Sequence, residues 1–584
     1  MEKSVDIVDF VSTLLDSGKY KEALSVPNDP KFQESFKDNC WDLISVIIRK
    51  IEDETIIIKP SLHGACEELL NVIIDKAVPE EALLEFIEQI ELAKNEAQFG
   101  IILNPLQQLL QKLTAKRGRS LEWCLNSITT YIEGIPVPEH GLEGKEQLLM
   151  DSDPNVRRIS KVYTMLPPFY RPFVKELDGT DSNIYTKQII TAFLISLLGK
   201  PLIYIDMDPE TSAKSEIRLC CHTVVQDICL LEKNIFKFLT YLEICYKENK
   251  KSKSKKEFEN EELPPYEHRE KINLTTLSSF YYAVYSGHFQ LSHHSTPSVY
   301  NIDYIVNNLF LAVIHLLSFS EHGPLAKGTA LCRALLDCYP CNVSHNLLSS
   351  AHFDLSKCLS TVAIYSTYEC IRKKSVTLIS NHVNKFEYKG RCMLIKHLLG
   401  VTNHSGMIGY TISLYKNSID EAFKETALPD CFKGPHLMNM IQKICYLPHG
   451  AESDLVELAD QIITALNFLR YLALKDTENV TGIRDFFSMI EVDYLDKLRT
   501  GLNMSKAHYE VKLKDIEEGK DCTGETMKVS INLGGNMLDQ IPTQNKKEII
   551  YSALNAFHLI EGLVARLSEC ININKMSGLS MESE

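Results

Sequence analysis

Four residues near the middle of the chain have the types and the spacing of a zinc site. Cys332, Cys338, Cys341 and His345 follow the pattern C-x5-C-x2-C-x3-H. Thiolates and imidazole nitrogens are the ligands that structural Zn²⁺ sites use most. However, Pro340 places the C-x2-C at a helix end, no second C-x2-C follows, and the chain contains 17 cysteines in all. We therefore predict free thiols here, with no metal and no other cofactor.

Further residue types that could do chemistry do not form a catalytic pattern. The sequence has no Walker loop, no GxGxxG between a strand and a helix, no HExxH and no GxSxG. His293 and His294 have no carboxylate or cysteine at ligand spacing, so we interpret them as loop residues. The basic triplet 372–374 indicates a solvated helix face more than a partner contact. We predict no catalytic residues and a protein that is not an enzyme.

Composition limits the partners and the compartment. The chain has 584 residues and a formal net charge of −15, which argues against a general nucleic-acid binder. The odd number of scattered cysteines is typical of a reducing compartment. The N-terminus lacks the pattern of a secretory signal, and the most apolar run, 304–319, is short for a membrane span. We expect a soluble protein without nucleic-acid partners, located in the cytoplasm, with nuclear presence left open.

Helical periodicity dominates the elements that must position any site. Apolar residues recur every three or four positions in 453–475, where Ser453 could cap the helix, and in 546–571. After residue 345, helix-length segments follow about every 20 residues, so two helices give a unit close to the ~40–47 residues of HEAT or armadillo repeats. LPPFYRPF at 166–173 is expected to be a turn between helices. The predicted fold is all-α, an irregular HEAT/armadillo-like helical-repeat solenoid in two halves.

A charged segment separates the two predicted halves. Residues 247–270 hold a lysine block, an acidic block and two consecutive prolines, with few apolar residues. Blocks of like charge are typical of solvated, disordered segments, although a lysine block also suits an import signal. We predict an N-terminal helical-repeat region at 1–246, this linker, a C-terminal HEAT-like region at 271–571 and a disordered tail at 572–584.

One helix carries an unusual polar face. In TGLNMSKAHYEVKLK, residues 500–514, weak helix formers such as Gly501 and Asn503 occur in the middle of an apolar periodicity. A helical wheel places one polar stripe opposite the apolar stripe, and it consists of Arg499, Asn503, Lys506, Glu510 and Lys514. Gly501 suits the close approach of another chain or of another helix. The pattern alone leaves open whether this stripe contacts a partner or solvent.

Several stretches of the second half resemble the glomulin family. They occur in the family's order and at similar separations, with strong similarity over about 369–570 and weaker, colinear similarity before that. The stretches are ECIRKKSVTL (369–378), LLGVTNHSG (398–406), YLPHGAESDL (446–455), ALNFLRYLALKDTEN (465–479) and TGLNMSKAHYE (500–510).

The resemblance implies a non-catalytic, all-helical HEAT-like regulator. Members of this family bind the RING domain of the RING-box subunit of cullin–RING ubiquitin ligases and mask the surface where the ubiquitin-conjugating enzyme docks. They are also linked to an FK506-binding immunophilin, to the hepatocyte growth factor receptor and to vascular development. The alternative is a helical-repeat scaffold in receptor or immunophilin signalling. The predicted partner-binding residues are Arg499, Asn503, Lys506, His508, Lys475, Asn479, Asn403 and His404.

Overall fold

The computed structural model describes most of the chain in two compact units. The described residues are 6–113, 117–138, 142, 144–177, 183–212, 215–252, 271–291, 301–518 and 543–581. The first unit is Met1–Leu335 and the second is Leu336–Glu584. The boundary predicted from the sequence lies at 247–270, of which 253–270 fall outside the described residues, as do His293, His294 and the tail from 582. The predicted domain limits therefore stay a prediction.

The described residues of the first unit are mostly helical. Its helices are α1 (Ile7–Asp16), α2 (Tyr20–Ser25), α3 (Gln33–Asn39), α4 (Asp42–Arg49), α5 (Thr55–Ile58), α6 (Pro60–Lys76), α7 (Pro79–Leu92), α8 (Glu96–Lys112), α9 (Arg117–Glu133), α10 (Pro154–Leu177), α11 (Ile184–Ser196), α12 (Pro209–Ser212), α13 (Glu216–Leu231), α14 (Lys237–Ser252), α15 (Leu274–Tyr285) and α16 (Ile302–Leu316). The next helix, α17 (His322–Cys338), contains the division between the units in its last turn.

The second unit is also helical. Its helices are α18 (Ser350–Tyr365), α19 (Glu369–Asn384), α20 (Tyr388–Val401), α21 (Ser405–Ala422), α22 (Gly434–Ile444), α23 (Ala459–Lys475), α24 (Phe487–Ile490), α25 (Asp496–Glu517) and α26 (Thr543–Met581). In the described part of the chain there is no β-strand, only one isolated bridge between Val343 and Phe386. The predicted all-α repeat fold is confirmed. Over the same residues, no helix combines the length and the apolar character needed to cross a bilayer.

Helices of the second unit form antiparallel pairs. In the first pair, His352 near the start of α18 contacts His382 near the end of α19, with 2.9 Å between ring nitrogens. In the second pair, Arg391 near the start of α20 forms a 2.6 Å ion pair with Glu421 near the end of α21. The first helices of these two pairs begin at residues 350 and 388, and α22 begins at 434, a spacing close to that of HEAT repeats.

The second helices of successive pairs run in the same direction. The backbone N–H of Gln461 near the start of α23 donates to Ser405 Oγ at the start of α21, at 3.1 Å. Near the other ends, the Tyr471 hydroxyl donates to Asp420 Oδ1 at 2.7 Å. Parallel neighbours are what stacked helical hairpins produce, since each hairpin repeats the orientation of the one before it.

The prediction of a turn at 166–173 is wrong, because α10 continues through this segment. Three prolines, Pro167, Pro168 and Pro172, lie inside the helix. Pro172 has no N–H, so the carbonyl oxygen of Pro168, four residues earlier, loses its normal donor. The side-chain amide of Gln107 on α8 donates to that oxygen at 2.6 Å. A neighbouring helix thus supplies the missing hydrogen bond, and sequence periodicity cannot show such a partner.

The two strongest helix predictions have different outcomes. The seven apolar residues that the periodicity of 546–571 places on one stripe are all buried in α26: Ile550, Ala553, Phe557, Ile560, Val564, Leu567 and Ile571. The predicted start at 453 is wrong, since α23 begins at Ala459. Ser453 Oγ accepts a hydrogen bond from the backbone N–H of His449 at 3.0 Å, and Asp454 Oδ1 accepts from Val456 at 2.9 Å. These side chains organise a turn before the helix instead of capping the helix itself.

Candidate partner-binding surface

Two of the predicted partner residues on α25 are engaged within the chain. Arg499 forms ion pairs with Glu491 at 2.7 Å and Asp496 at 2.6 Å, and it donates to Ser568 Oγ of α26 at 2.6 Å. One face of α25, including part of the polar stripe, therefore packs on α26.

Lys506 belongs to the same contact. Its ammonium group pairs with Glu561 of α26, and only 15% of the Lys506 side chain is exposed. The hydrogen bond from Lys506 lowers the pKa of the Glu561 carboxyl below its ordinary value, because it stabilises the ionised form. Tyr509 adds an edge-to-face contact with Phe557, with 5.4 Å between ring centroids. Like Arg499, Lys506 joins the two helices.

Gly501 is required by a close approach inside the second unit. A Cβ atom at this position would lie 2.7 Å from the backbone oxygen of Ala451. Ala451 belongs to the short 3₁₀ turn Gly450–Glu452, which packs directly on α25. The glycine in TGLNMSKAHYEVKLK is therefore explained by packing between elements of this chain.

The loop that follows α23 holds its own shape through a buried carboxylate. Asp476 is 2% exposed and accepts hydrogen bonds from the backbone N–H groups of Val480 at 2.7 Å and Thr481 at 2.8 Å. Asn479 has a positive φ of 55°, and its side chain bonds the backbone N–H of Arg484 at 3.0 Å. Asn479 thus shapes the loop, and the exposed residues around it include Lys475, Thr477, Glu478 and Val480.

The remaining predicted residues are exposed. His404 is the N-cap of α21, where its Nδ1 accepts from the backbone N–H of Met407 at 3.3 Å, and Asn403 precedes it. Asn503 and His508 face solvent on α25. Lys475 lies at the C-terminal end of α23, whereas His404 lies beside its N-terminal end. A helix of 17 residues is about 25 Å long, so these residues do not form one compact patch.

The structure adds a cleft that sequence reasoning missed. It lies between α21 and α23, has a volume of about 540 Å³ and is lined by Ile412, Ser413, Lys416, Thr464, Asn467, Phe468, Arg470, Tyr471 and Leu474. On α23 its lining residues recur at steps of three or four, which is the helical spacing of a single face. The signal was therefore present in ALNFLRYLALK, but only the packing of α21 shows that this face lines a cleft.

The cysteine and histidine cluster has other contacts. Cys332 is buried, and His345 pairs with Glu387, whose carboxylate also accepts from the His345 backbone N–H at 2.8 Å. The Nζ atom of Lys385 lies 3.9 Å from the Sγ atom of Cys341. Among the residues that the structure describes, no three His, Cys, Asp or Glu side chains are placed to hold a metal ion.

Comparison with known proteins finds similarity to glomulin. Human glomulin is 26% identical over 582 residues, which cover 96% of this chain and 92% of the human protein. Mouse glomulin is 26% identical over 583 residues with the same coverage. The profile of a family described as "Uncharacterised protein family, YAP/Alf4/glomulin" matches residues 273–547. This chain is similar to glomulin over most of its length.

The candidate residues lie in the part of the chain that the family profile matches. All eight predicted partner residues and the cleft between α21 and α23 lie within 273–547. The similarity to glomulin also extends through the first unit, where the predicted resemblance was weaker. Together the comparisons show similarity to glomulin in both units of the chain.

Proposed function

We propose that this chain is a non-catalytic inhibitor of cullin–RING ubiquitin ligases. In this proposal, helices of the second unit bind the RING domain of the RING-box subunit and cover the surface where the ubiquitin-conjugating enzyme docks. The observation that supports the proposal is the similarity to glomulin over 96% of the chain. We propose the cytoplasm as the place of action.

Inhibition by occlusion needs a surface and no reacting group. A specific interface buries about 1,600 Å² in total, and a few anchor residues provide most of its affinity. The exposed candidates for such anchors are Asn403, His404, Lys475, Asn503 and His508. Arg499, Lys506 and Asn479 have partners within the chain, so substituting them would alter the folded protein as well as any interface.

The proposal is tested by titrating the purified chain into a reconstituted neddylated cullin–RING ligase. We expect ubiquitin-chain formation to fall to a low plateau, and excess conjugating enzyme to restore it, because the two proteins compete for one RING surface. If recruitment of the charged conjugating enzyme is unchanged at saturating chain, the proposal is wrong. Binding to the ligase without any loss of recruitment would support the scaffold alternative.

A charge reversal tests the assignment to the second unit. Lys475→Glu is expected to weaken inhibition about tenfold, because anchors at an interface typically contribute more than 1 kcal/mol. Lys31→Glu is the matched control, since Lys31 is also an exposed lysine but lies in the first unit. Equal effects of the two substitutions would show that only net charge matters.

A further inference from the structure

The cleft between α21 and α23 contains a cation whose charge is not balanced nearby. Arg470 is half-buried, and its Nε atom is buried without a hydrogen-bond partner. Among the described residues, Arg470 also forms no ion pair within 4 Å. Removing a guanidinium N–H from water without giving it an acceptor is unfavourable by about 1–3 kcal/mol. An external acceptor that reached Arg470 in the cleft would remove this cost.

Lys416 provides a second positive charge on the other wall of the cleft. Its ammonium group lies 5.1 Å from the centroid of the Tyr471 ring, a cation–π contact that leaves its N–H donors available. A carboxylate beside the cleft, that of Asp420, accepts from the Tyr471 hydroxyl at 2.7 Å and pairs with Lys424 at 3.6 Å. These contacts hold the pKa of Asp420 below its usual value, chiefly through the tyrosine hydrogen bond. Asp420 is thus occupied, and no carboxylate lines the cleft.

The rest of the lining suits a polypeptide. Leu474 is 56% exposed and provides the accessible apolar surface, whereas Ile412 and Phe468 line the cleft as buried core residues. Asn467 is exposed and offers both an amide donor and an acceptor. An extended or helical segment that carries an acidic side chain beside an apolar one would match this combination of charge and apolar surface.

A second basic cleft in the same unit provides a contrast. It lies between α20 and α22, has a volume of about 350 Å³ and is lined in part by Lys396 and Lys443. Both lysines are exposed, so water hydrates their charges and no external anion is needed. Charge alone therefore does not distinguish the two clefts, whereas the buried, unpartnered Nε atom of Arg470 does.

We propose that the cleft between α21 and α23 is a docking site for an acidic segment of a partner polypeptide. A carboxylate of that segment accepts hydrogen bonds from Arg470 and Lys416, and a neighbouring apolar side chain packs on Leu474. The proposal goes beyond ligase inhibition and does not depend on it, because the cleft can be tested with a peptide in the absence of any ligase.

The test uses a short fluorescein-labelled peptide of alternating glutamate and leucine residues and its glutamine counterpart. Fluorescence anisotropy with the full chain should show binding of the glutamate peptide that weakens as salt is added. The glutamine peptide should bind at least about tenfold more weakly, and the double substitution Arg470→Gln with Lys416→Gln should lower affinity for the glutamate peptide by a similar factor.

The matched control is the double substitution Lys396→Gln with Lys443→Gln, which removes the same charge from the other cleft. We expect it to leave peptide affinity within about twofold of the unmodified chain. An equal loss in both double variants would overturn the proposal, as would equal binding of the two peptides. A single-stranded oligonucleotide that binds with the same affinity and loses it in the same variant would also overturn it, because the cleft would then recognise charge alone.

Thermal unfolding separates binding from folding. If the Arg470 and Lys416 variant unfolds at the same temperature as the unmodified chain or higher, a loss of binding cannot come from misfolding. Should that variant unfold at a much lower temperature, the conservative single variant Arg470→Lys replaces it in the anisotropy measurement. Lysine keeps the charge but lacks the guanidinium geometry, so affinity should fall only in part, and unchanged affinity would contradict a role for Arg470.

Discussion

Two regions of the second unit carry the same residue types in opposite circumstances. On α25, Arg499 and Lys506 are paired with carboxylates of this chain and join α25 to neighbouring elements. In the cleft between α21 and α23, Arg470 and Lys416 have no carboxylate within ion-pair distance among the described residues. The role of a cation therefore depends on whether the folded chain places a carboxylate next to it. A helical wheel of a single segment does not contain that information.

The largest expected effect tests whether α25 is a packed helix. Gly501→Ala should lower the free energy of unfolding by about 1–3 kcal/mol, because the new Cβ would overlap the backbone oxygen of Ala451. Gly562→Ala on α26 is the matched control, since nothing lies within 4 Å of its Cβ position. There alanine should stabilise by about 0.5–1 kcal/mol through helix propensity. Chemical denaturation measures both, and the same sign in the two variants would contradict the packing.

A smaller effect tests the pairing of cations on α25. A double-mutant cycle with Lys506→Met and Glu561→Gln should give a coupling energy of about 0.2–1 kcal/mol, the range for pairs that keep solvent contact. Glu561 is 54% exposed, which limits the effect. Because the pKa of Glu561 is lowered by folding, the coupling should be fully present above its ordinary pKa and disappear as pH falls through the folded value. A coupling near zero at neutral pH would remove this half of the comparison.

The smallest effect tests the cation in the cleft. Arg470→Met should leave the free energy of unfolding unchanged or raise it by about 0.5 kcal/mol, because methionine keeps the apolar stem and removes a buried donor without an acceptor. Lys396→Met, at an exposed position of the other cleft, should change stability by less than about 0.5 kcal/mol. A loss of more than about 1 kcal/mol on Arg470→Met would show that the guanidinium stabilises the fold and would weaken the comparison.

The fold was predictable because it depends on local periodicity. The apolar stripe of α26 is buried at every predicted position, and stacked pairs of helices follow from segments of repeating length. The failures occur where a distant residue decides the outcome. Gln107 satisfies a carbonyl in α10, far along the chain, and Ala451 explains Gly501. Such partners are set by packing, which a single sequence does not display.

The candidate site was only partly predictable for the same reason. Resemblance to the glomulin family led to the prediction of eight partner-binding residues within 403–508, and five of the eight are exposed. Arg499 and Lys506 were selected for their charge, yet their acceptors lie on α26 or in the segment just before α25. Arg470 stands in an apolar run, so its sequence context does not indicate a binding residue. It differs from Arg499 and Lys506 in that its Nε atom has no acceptor in the folded chain.

The shared direction of α21 and α23 has a consequence for how lysines at their ends should be interpreted. Backbone dipoles of both helices place partial negative charge at the same edge, where Lys424 and Lys475 lie. These two lysines therefore stabilise the C-terminal ends of the helices, by about 0.3–1 kcal/mol each at low ionic strength. Substituting Lys475 therefore removes a favourable interaction with the helix dipole as well as any contact with a partner. Lys416 and Arg470 lie farther from the helix ends, so substituting them changes the dipole interaction less.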